Sequence, residues 1–446
     1  MPSAAEQLAS NFNLSAFSKA TELKQRIFFT MVALIVARLG TYIPMPGIDA
    51  SELARQIQQQ QGSLLDVFNL LAGGAIGRMA IFALGIMPYI SSSIIIQLMT
   101  TVSPTLEQLK KEGEAGRKQI NQYTRYGTVM LAAVQAYAIG IGLEQWGTVV
   151  VAPGFAFRMS TVITLTGGTI FLMWLGEQIT ARGVGNGISL IIMAGIIARV
   201  PTFLVQIFEQ MRTGAVNPTL VIFMFALFVA LIAGVVFMER AQRRLLVQYP
   251  KRQQGNRVFG GESSHLPLKL NVAGVIPPIF ASSLLLLPMT IANFNAANIP
   301  DWLQAVVVLL GHGKPLFILL YAFGIIFFCF FYTAIVFNPE ETADNLKKYG
   351  GFIPGIRPGK RTAEYIDYVL TRITVVGALY LSTVCLIPEI IDGVYNIQQF
   401  SFGGTSILIV VSVTMDTVAQ IQSHLIAQQY EGLIKKARLK GARPQK

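Results

Sequence analysis

Apolar residues in this chain gather into ten long runs separated by shorter polar stretches. A helix that crosses a bilayer needs roughly 20 apolar residues. The runs fall at about 25–43, 77–101, 125–145, 157–179, 187–208, 217–239, 271–293, 315–337, 371–391 and 404–426. The pattern predicts an all-α polytopic membrane protein with ten transmembrane helices. A transmembrane β-barrel is excluded, because its strands would run for about 10 residues with alternating polarity. Ahead of the second run lies a shorter helical pattern, Leu64-Leu65-Asp66-Val67-Phe68-Asn69-Leu70-Leu71-Ala72, closed by Gly73-Gly74. It is far too short to cross a bilayer. A stub, a glycine break and a full span predict a segment that re-enters one side of a membrane pore. Irregular backbone at membrane depth survives only inside protein or beside a water-filled cavity.

Composition agrees with this reading. The 446 residues are 53% hydrophobic and 13% charged, with mean hydropathy +0.54, whereas about a quarter of a soluble domain is charged. Residues 1–24 are polar, and no small-residue cleavage site follows the apolar run that starts near Ile27. That run reads as a retained first span rather than a cleaved leader.

Charge then orients the spans. Of the 35 Lys and Arg residues, 28 fall in the N-terminal segment, the tail and the connections 2–3, 4–5, 6–7 and 8–9 between spans. An even number of spans puts both termini on one side, and the basic excess makes that side the cytoplasm. Five spans per half is an odd number, so the halves run in opposite directions, as an inverted repeat. The expected organisation is a cytoplasmic segment 1–24, an N-terminal half 25–208 with a re-entrant stub at 62–72, and an external hinge 209–217. A C-terminal half 218–429 follows, with cytoplasmic loops 240–270 and 339–370, and then a basic tail 430–446. No sequence identity between the halves is evident, so the inversion rests on topology.

Interrupted spans at matching places in two halves point to a working site. The second span carries Gly85 and Pro88, and its counterpart, the seventh, carries Gly274, Pro277 and Pro278. Proline removes an internal hydrogen bond and loosens a helix. Polar residues accompany the pair: Ser91, Ser92, Ser93 and Gln97 on the second span, Asn271, Ser282 and Ser283 on the seventh, with Gln135 on the third. Such a seam is either static glue between helices or an interface shallow enough to part. Ile86 and Ile90 share one face of the second span, and Ile188 and Ile192 share one face of the fifth. That spacing fits lipid-facing or core isoleucines, and equally an aliphatic constriction that gates by dewetting.

Candidate chemistry is sparse. A solute transporter needs intramembrane ionisable groups, and the candidates are Arg38, Glu177, Arg199 and Asp416. Glu177 and Arg199 sit near span ends, where snorkelling suffices. Cys329 and Cys385 read as small buried hydrophobes. His265, His312 and His424 have no ligand spacing, so no metal site is expected. No phosphate-binding loop occurs. Gly183-Val184-Gly185-Asn186-Gly187 has no strand before it and reads as a turn. With no nucleophile–base constellation, no catalytic residues, cofactor or enzymatic activity are expected. The connections holding Arg243, Arg244, Lys251, Arg252 and Arg257, and Lys347, Lys348, Arg357, Lys360 and Arg361, exceed ordinary loop length. Their charge suits an acidic protein partner or ribosomal RNA phosphates.

Several stretches closely resemble the SecY family of protein-conducting channels. They are Ile43-Pro44-Met45-Pro46-Gly47, Ala80-Ile81-Phe82-Ala83-Leu84-Gly85-Ile86-Met87-Pro88-Tyr89-Ile90, Gly176-Glu177-Gln178-Ile179-Thr180 and Gly185-Asn186-Gly187-Ile188-Ser189. Asn338-Pro339-Glu340-Glu341-Thr342-Ala343-Asp344-Asn345-Leu346 and Pro354-Gly355-Ile356-Arg357-Pro358-Gly359 complete the set. The likeness runs from Ile43 to Leu439, and residues 295–313 carry no family motif.

The resemblance implies a central hourglass pore between the halves. Its ring would be Ile86, Ile90, Ile188, Ile192, Ile279 and Ile409. The stub, with Leu64, Leu65, Val67, Phe68, Leu71, Gly73 and Gly74, would be the plug. Ser91, Gln97, Gln135, Asn271, Ser282 and Ser283 would belong to the lateral gate, with Gln97, Gln135 and Asn271 as its polar cluster. Arg243, Arg244, Lys251, Arg252, Arg257, Lys347, Lys348 and Arg357 would dock a motor or a ribosome. Implied partners are SecE and SecG, the ATPase SecA, ribosome–nascent chain complexes, signal peptides and anionic lipid, with SecDF and YidC as further candidates. The implied location is a bacterial inner membrane. Two other classes stay open on residues alone. A solute transporter would depend on Asp416 or Glu177, and a non-conducting scaffold would not leak on loss of residues 62–72.

Overall fold

The computed structural model describes residues 21–49, 52–53, 55, 73–145, 149–214, 217–249, 252–254, 257–259, 263–294, 314–395 and 403–441. Leu64, Leu65, Val67, Phe68, Leu71 and Lys251 lie outside them. The first half holds α1 (Thr21–Gly40), α2 (Met87–Val102), α3 (Pro104–Lys111) and α4 (Glu114–Gln145). It continues with α5 (Phe155–Arg182), α6 (Gly187–Ile197) and α7 (Val200–Arg212). Next come α8 (Pro218–Arg240) and strands β1 (Gln242–Gln248), β2 (Arg252–Gln254), β3 (Arg257–Phe259) and β4 (Ser263–Lys269). The chain ends with α9 (Ile276–Phe294), α10 (Pro315–Val336), α11 (Pro339–Lys348), α12 (Lys360–Tyr395) and α13 (Gly404–Gly441).

A helix stands at each of the ten expected spans, with α6 and α7 sharing the fifth. Among the described residues, seven of these stretches are long and apolar enough to cross a membrane, and α2 and α9 contribute shorter apolar helices. Several boundaries differ from the apolar windows. Helices α4 and α12 start at Glu114 and Lys360, because a polar stretch ends a hydropathy window but not a backbone hydrogen-bond ladder. The link expected at 209–217 is helical as far as Arg212. The second span is helical only from Met87, and residues 81–86 form tight turns instead.

That break corrects the role expected of the prolines. Gly85 has φ +57° and Gly274 has φ +63°. Each helix begins two residues later, and each has proline at its second position, Pro88 and Pro277. A first-turn N–H has no intrahelical partner, so proline there removes nothing and pre-sets φ. The left-handed glycine makes the break, and the proline restarts the helix.

The halves also share local sequence, contrary to the expectation of none. Gly85-Ile86-Met87-Pro88-Tyr89-Ile90-Ser91-Ser92-Ser93 and Gly274-Val275-Ile276-Pro277-Pro278-Ile279-Phe280-Ala281-Ser282 align with Gly, Pro, Ile and Ser in common. Packing repeats with them. In the first half α1 packs on α5 and α6, α2 on α4 and α5, and α5 on α4 and α6. In the second half α8 packs on α12 and α13, α9 on α10 and α12, and α12 on α10 and α13. A methyl group at Gly168 of α5 would lie 2.1 Å from the Ile81 carbonyl oxygen, and one at Gly377 of α12 would lie 2.8 Å from that of Leu270. Ile81 and Leu270 each stand four residues before the left-handed glycine. Small residues let backbones approach this closely within a membrane, where packing rather than water drives helix association. Two inverted five-helix halves therefore share one packing plan.

The halves meet along two unlike seams. On one side α6 packs on α13, and the 183–187 turn is stitched across: Gly185 N donates to Gln420 Oε1 at 2.9 Å. Val184 N donates to Thr30 Oγ1 at 3.1 Å, and Asn186 caps α6 by accepting from Ile188 N and Ser189 N. On the other side α9 packs on α2 and α4. There Lys110 Nζ of α3 reaches the Ile335 carbonyl at the end of α10, at 3.4 Å. Lys111 of the same short helix, 2.7 Å from Glu107, holds that exposed carboxyl below its ordinary pKa.

The connection after α8 contains sheet, which the all-α reading did not anticipate. Strands β1 and β4 pair antiparallel from Gln242↔Lys269 to Gln248↔Ser263, and β2 pairs with β3 beyond them. Alternation of buried Leu245 and Val247 with exposed neighbours supplies the strand period. The two long basic connections form one body. Gln248 and Phe352 exchange both backbone hydrogen bonds, at 2.9 and 3.0 Å. Leu245, Leu268, Ile353, Ile366 and Ile373 share one apolar cluster beneath them.

Candidate functional site

One apolar cluster lies where the halves meet, and it gathers all six isoleucines picked out in the sequence. Ile86, Ile279 and Ile409 are buried in it, and Ile90, Ile188 and Ile192 pack against it partly buried. They come from the 81–86 turn, α2, α6, α9 and α13, so neither half alone builds the cluster. Val275, the repeat partner of Ile86, packs there as well. Ile86 sits at the N-cap of α2, and its carbonyl accepts from Ile90 N at 3.1 Å. The break before α2 thus presents both side chains to one spot. Branched aliphatic side chains offer no polar atom to water, so a gap between them favours dewetting over hydration.

Beside the cluster a small cavity is lined by Ile86, Ile192, Phe82, Leu172, Arg38 and Gly195. The chain approaches it through a platform of extended segments. Met45 N donates to the Met79 carbonyl and Ile81 N to the Ile43 carbonyl, at 2.9 and 3.0 Å. Ile48 bridges Val150. The Ile43–Gly47 motif therefore braces the turn that carries Ile86. Gly73 and Gly74 lie at the edge of this platform, with φ +65° and +86°. Arg38 Nη1 donates to the Gly73 carbonyl, a contact that no sequence pattern announced.

The polar residues of the second seam separate into distinct partnerships. Asn271, 6% exposed, donates through Nδ2 to Glu239 Oε1 of α8 at 2.7 Å and to the Gly274 carbonyl at 3.1 Å. It engages its own half rather than Gln97 or Gln135, which are partly buried on α2 and α4. Glu239 was missed in the sequence, although an acid ending an otherwise apolar run was a usable signal. Ser92 donates to the Thr124 carbonyl of α4 at 2.8 Å. Ser282 donates to the Ile279 carbonyl within its own helix at 3.0 Å, Ser91 and Ser283 are partly buried, and Ser283 Oγ has no partner.

Basic side chains crowd the paired connections. Arg243 and Arg244 are exposed on β1, Lys347 and Lys348 are exposed in the last turn of α11, and Arg357 is exposed in the turn before α12. Arg252 and Arg257 lie on β2 and β3 at the hairpin's far end. Thr362 Oγ1 donates to the Arg357 carbonyl at 3.0 Å, which fixes the turn's backbone.

The acids that a solute transporter would need are engaged or exposed. Glu177 accepts a bidentate pair from Arg125, Nε at 2.9 Å and Nη2 at 2.7 Å, so it is ion-paired rather than snorkelling. Asp416, within the last span, has a side chain 68% exposed and 4.0 Å from Lys269 Nζ.

Comparison with known proteins gives consistent results. The SecY family model matches residues 80–418. The SecY translocase subunit of Rickettsia conorii is 56% identical over 430 residues, covering 95% of this chain and 99% of the relative. That of Escherichia coli strain K12 is 56% identical over 424 residues, covering 94% and 96%. Among solved structures, one described as a protein conducting channel superposes with TM-score 0.67 at 17% identity, covering 90% of this chain and 92% of that one. Sec61 from a canine ribosome–channel complex of the endoplasmic reticulum gives 0.63 at 17% identity, with the same coverage.

Proposed function

We propose, starting from the fact that this chain belongs to the SecY family, that its six clustered isoleucines form the constriction through which an unfolded polypeptide passes. The chain is the pore-forming subunit of a protein-translocation channel, a multi-pass membrane protein. The observation that carries the constriction is the meeting of Ile86, Ile90, Ile188, Ile192, Ile279 and Ile409 in one cluster built by both halves. Aliphatic side chains deform around cargo of varied shape and make no lasting hydrogen bond to it. The channel is passive, and its energy comes from partners.

The seam of α9 with α2 and α4 is the lateral gate. It is supported by contrast with the opposite seam, where the Gly185 amide of the 183–187 turn is tied across to Gln420 of α13, whereas the Lys110–Ile335 contact across this seam comes from an exposed lysine. A signal sequence wedges between α2 and α9, and its preference for the parted seam shifts a closed-to-open equilibrium. Residues 62–72 plug the external side, and the exposed arginines of the joined basic body dock SecA or a ribosome on the cytoplasmic side. Both termini are cytoplasmic, the membrane is a bacterial inner membrane, and SecE, SecG and anionic lipid complete the complex. SecDF and YidC are further partners.

Replacing the six isoleucines together by serine tests the constriction. A hydrated ring conducts ions in a planar bilayer without any substrate. Conductance equal to that of the parent complex contradicts the assignment.

A further inference from the structure

We propose that Arg38 is a positioning residue that clasps the chain at Gly73, the residue that follows 62–72, and fixes it beside the isoleucine cluster. This rests on reading those residues as the plug.

Arg38 lies in the apolar run of α1. An arginine at membrane depth is costly and reads as functional until a structural reason is found. Its guanidinium meets backbone rather than a carboxylate: Nη1 donates to the Gly73 carbonyl. The guanidinium also lies 5.2 Å from the ring of Tyr42, and Arg78 stacks 4.1 Å from the same ring. Arg78 belongs to the short 3-10 turn Ile76–Arg78 just beyond Gly73. The arginine of α1 and the arginine of the turn therefore share one aromatic ring, a cation–π arrangement that positions both.

The opposite side of Gly73 is closed by α6. A methyl group at Gly73 would lie 2.6 Å from Arg38 Nη1 and 3.0 Å from Gly195 Cα, and the residue's φ of +65° admits glycine best. Beyond the clasp the backbone is held by its own hydrogen bonds. Met79 N donates to the Ile76 carbonyl and Ala80 N to that of Ala75, at 3.0 and 2.9 Å. Met79 is held at φ +41°, a left-handed conformation that a non-glycine residue adopts only when its surroundings impose it. Six residues after Ala80 comes Ile86, and Arg38, Gly195, Ile86 and Ile192 border the same cavity. The clasp and the constriction are thus one connected assembly on α1, α6 and the 73–86 segment. A charge-assisted hydrogen bond stabilises the chain at Gly73, and its loss shifts the balance between clasped and released Gly73 on the order of tenfold or more.

The test measures ion conductance of the reconstituted complex without substrate, in five forms: parent, a deletion of residues 62–72, Arg38→Gln, Gly73→Ala and the variant carrying both substitutions. Assembly with the small subunits is measured for each. The account expects the deletion to leak and Arg38→Gln and Gly73→Ala each to leak. It expects the double variant to leak no more than the stronger single one, because both break one contact. A leaking deletion with both single variants as tight as the parent overturns the clasp and leaves the plug standing. A leak in Arg38→Gln alone also overturns it, because Arg38 then acts elsewhere. A tight deletion overturns the plug reading and the clasp together. Gly73→Ala keeps every charge, so it carries the test if Arg38→Gln assembles poorly.

Discussion

The segments that precede the two broken helices occupy equivalent places in the two halves and are built for different tasks. Residues 41–86 lead into α2, and residues 241–275 lead into α9. The described residues of the first pack inward: their bridges run to the 149–151 segment, Gly73 lies between Arg38 of α1 and Gly195 of α6, and the segment ends in the isoleucine cluster. The second projects outward as a hairpin with exposed Arg243 and Arg244, fastened to the connection before α12 through Phe352. Both then pass a left-handed glycine and restart on a proline. Inversion explains the division of labour. Equivalent insertions in inverted halves fall on opposite faces of the fold, which is what the proposed division into a seal and a docking surface requires. The repeat supplies two matched helix breaks, and the inserted residues decide what each serves.

The comparison breaks most severely where the shared packing is tightest. Gly168→Val drives a side chain into the Ile81 carbonyl and Gly377→Val into that of Leu270. Each should cost about 3 kcal/mol or more, since overpacking of this kind cannot be relieved by a side-chain rotation. The first variant suffers more, in keeping with its closer approach. Thermal unfolding midpoints of the detergent-purified complex check both. A tolerant Gly377→Val beside an intolerant Gly168→Val would mean that the halves do not share this packing.

A change confined to the docking segment should leave the scaffold intact. Arg357→Glu reverses an exposed charge and should lower export in inverted vesicles by roughly tenfold, through repulsion at the acidic partner. Its unfolding midpoint should stay that of the parent, as expected of an exposed substitution. Lost assembly would show that the turn serves the fold instead.

The root of α9 offers a finer probe. Glu239→Ala leaves the buried Asn271 amide with one fewer acceptor and should cost about 1–3 kcal/mol. Glu239→Gln keeps an acceptor oxygen and should recover most of that loss in the same unfolding assay. Equal losses in both variants would transfer the role to the carboxylate's charge. The smallest effect is expected at Asp416. Asp416→Asn removes an exposed charge 4.0 Å from Lys269, worth no more than about 0.5 kcal/mol, and should leave export unchanged. A severe export defect would revive a proton- or solute-coupled role.

Much of this was legible in the sequence, for physical reasons that also explain the gaps. The spans could be read because apolar length is what a bilayer selects. Gly85 and Gly274 marked the breaks, but the role given to Pro88 and Pro277 was reversed: composition reveals a proline and not whether it sits mid-helix or in a first turn. The hairpin was missed because Gln242–Lys269 is too polar and short-period for span reading, although Leu245 and Val247 alternate as a strand does. Ile86, Ile90, Ile188 and Ile192 could be paired by helical spacing within one span. Their meeting with Ile279 and Ile409 is a property of the seam between halves, which no local period encodes. Arg38 with Gly73 and Glu239 with Asn271 are contacts between elements distant in sequence and carry no motif.

The central claim is that the isoleucine cluster encircles a passing polypeptide. Photo-crosslinkers at positions 86, 192 and 409, challenged with a stalled secretory chain in the assembled complex, test it most directly. The account predicts adducts at all three positions, each lost when the chain's signal sequence is made polar. No adducts at any of them, in a complex that still binds the chain, would contradict it.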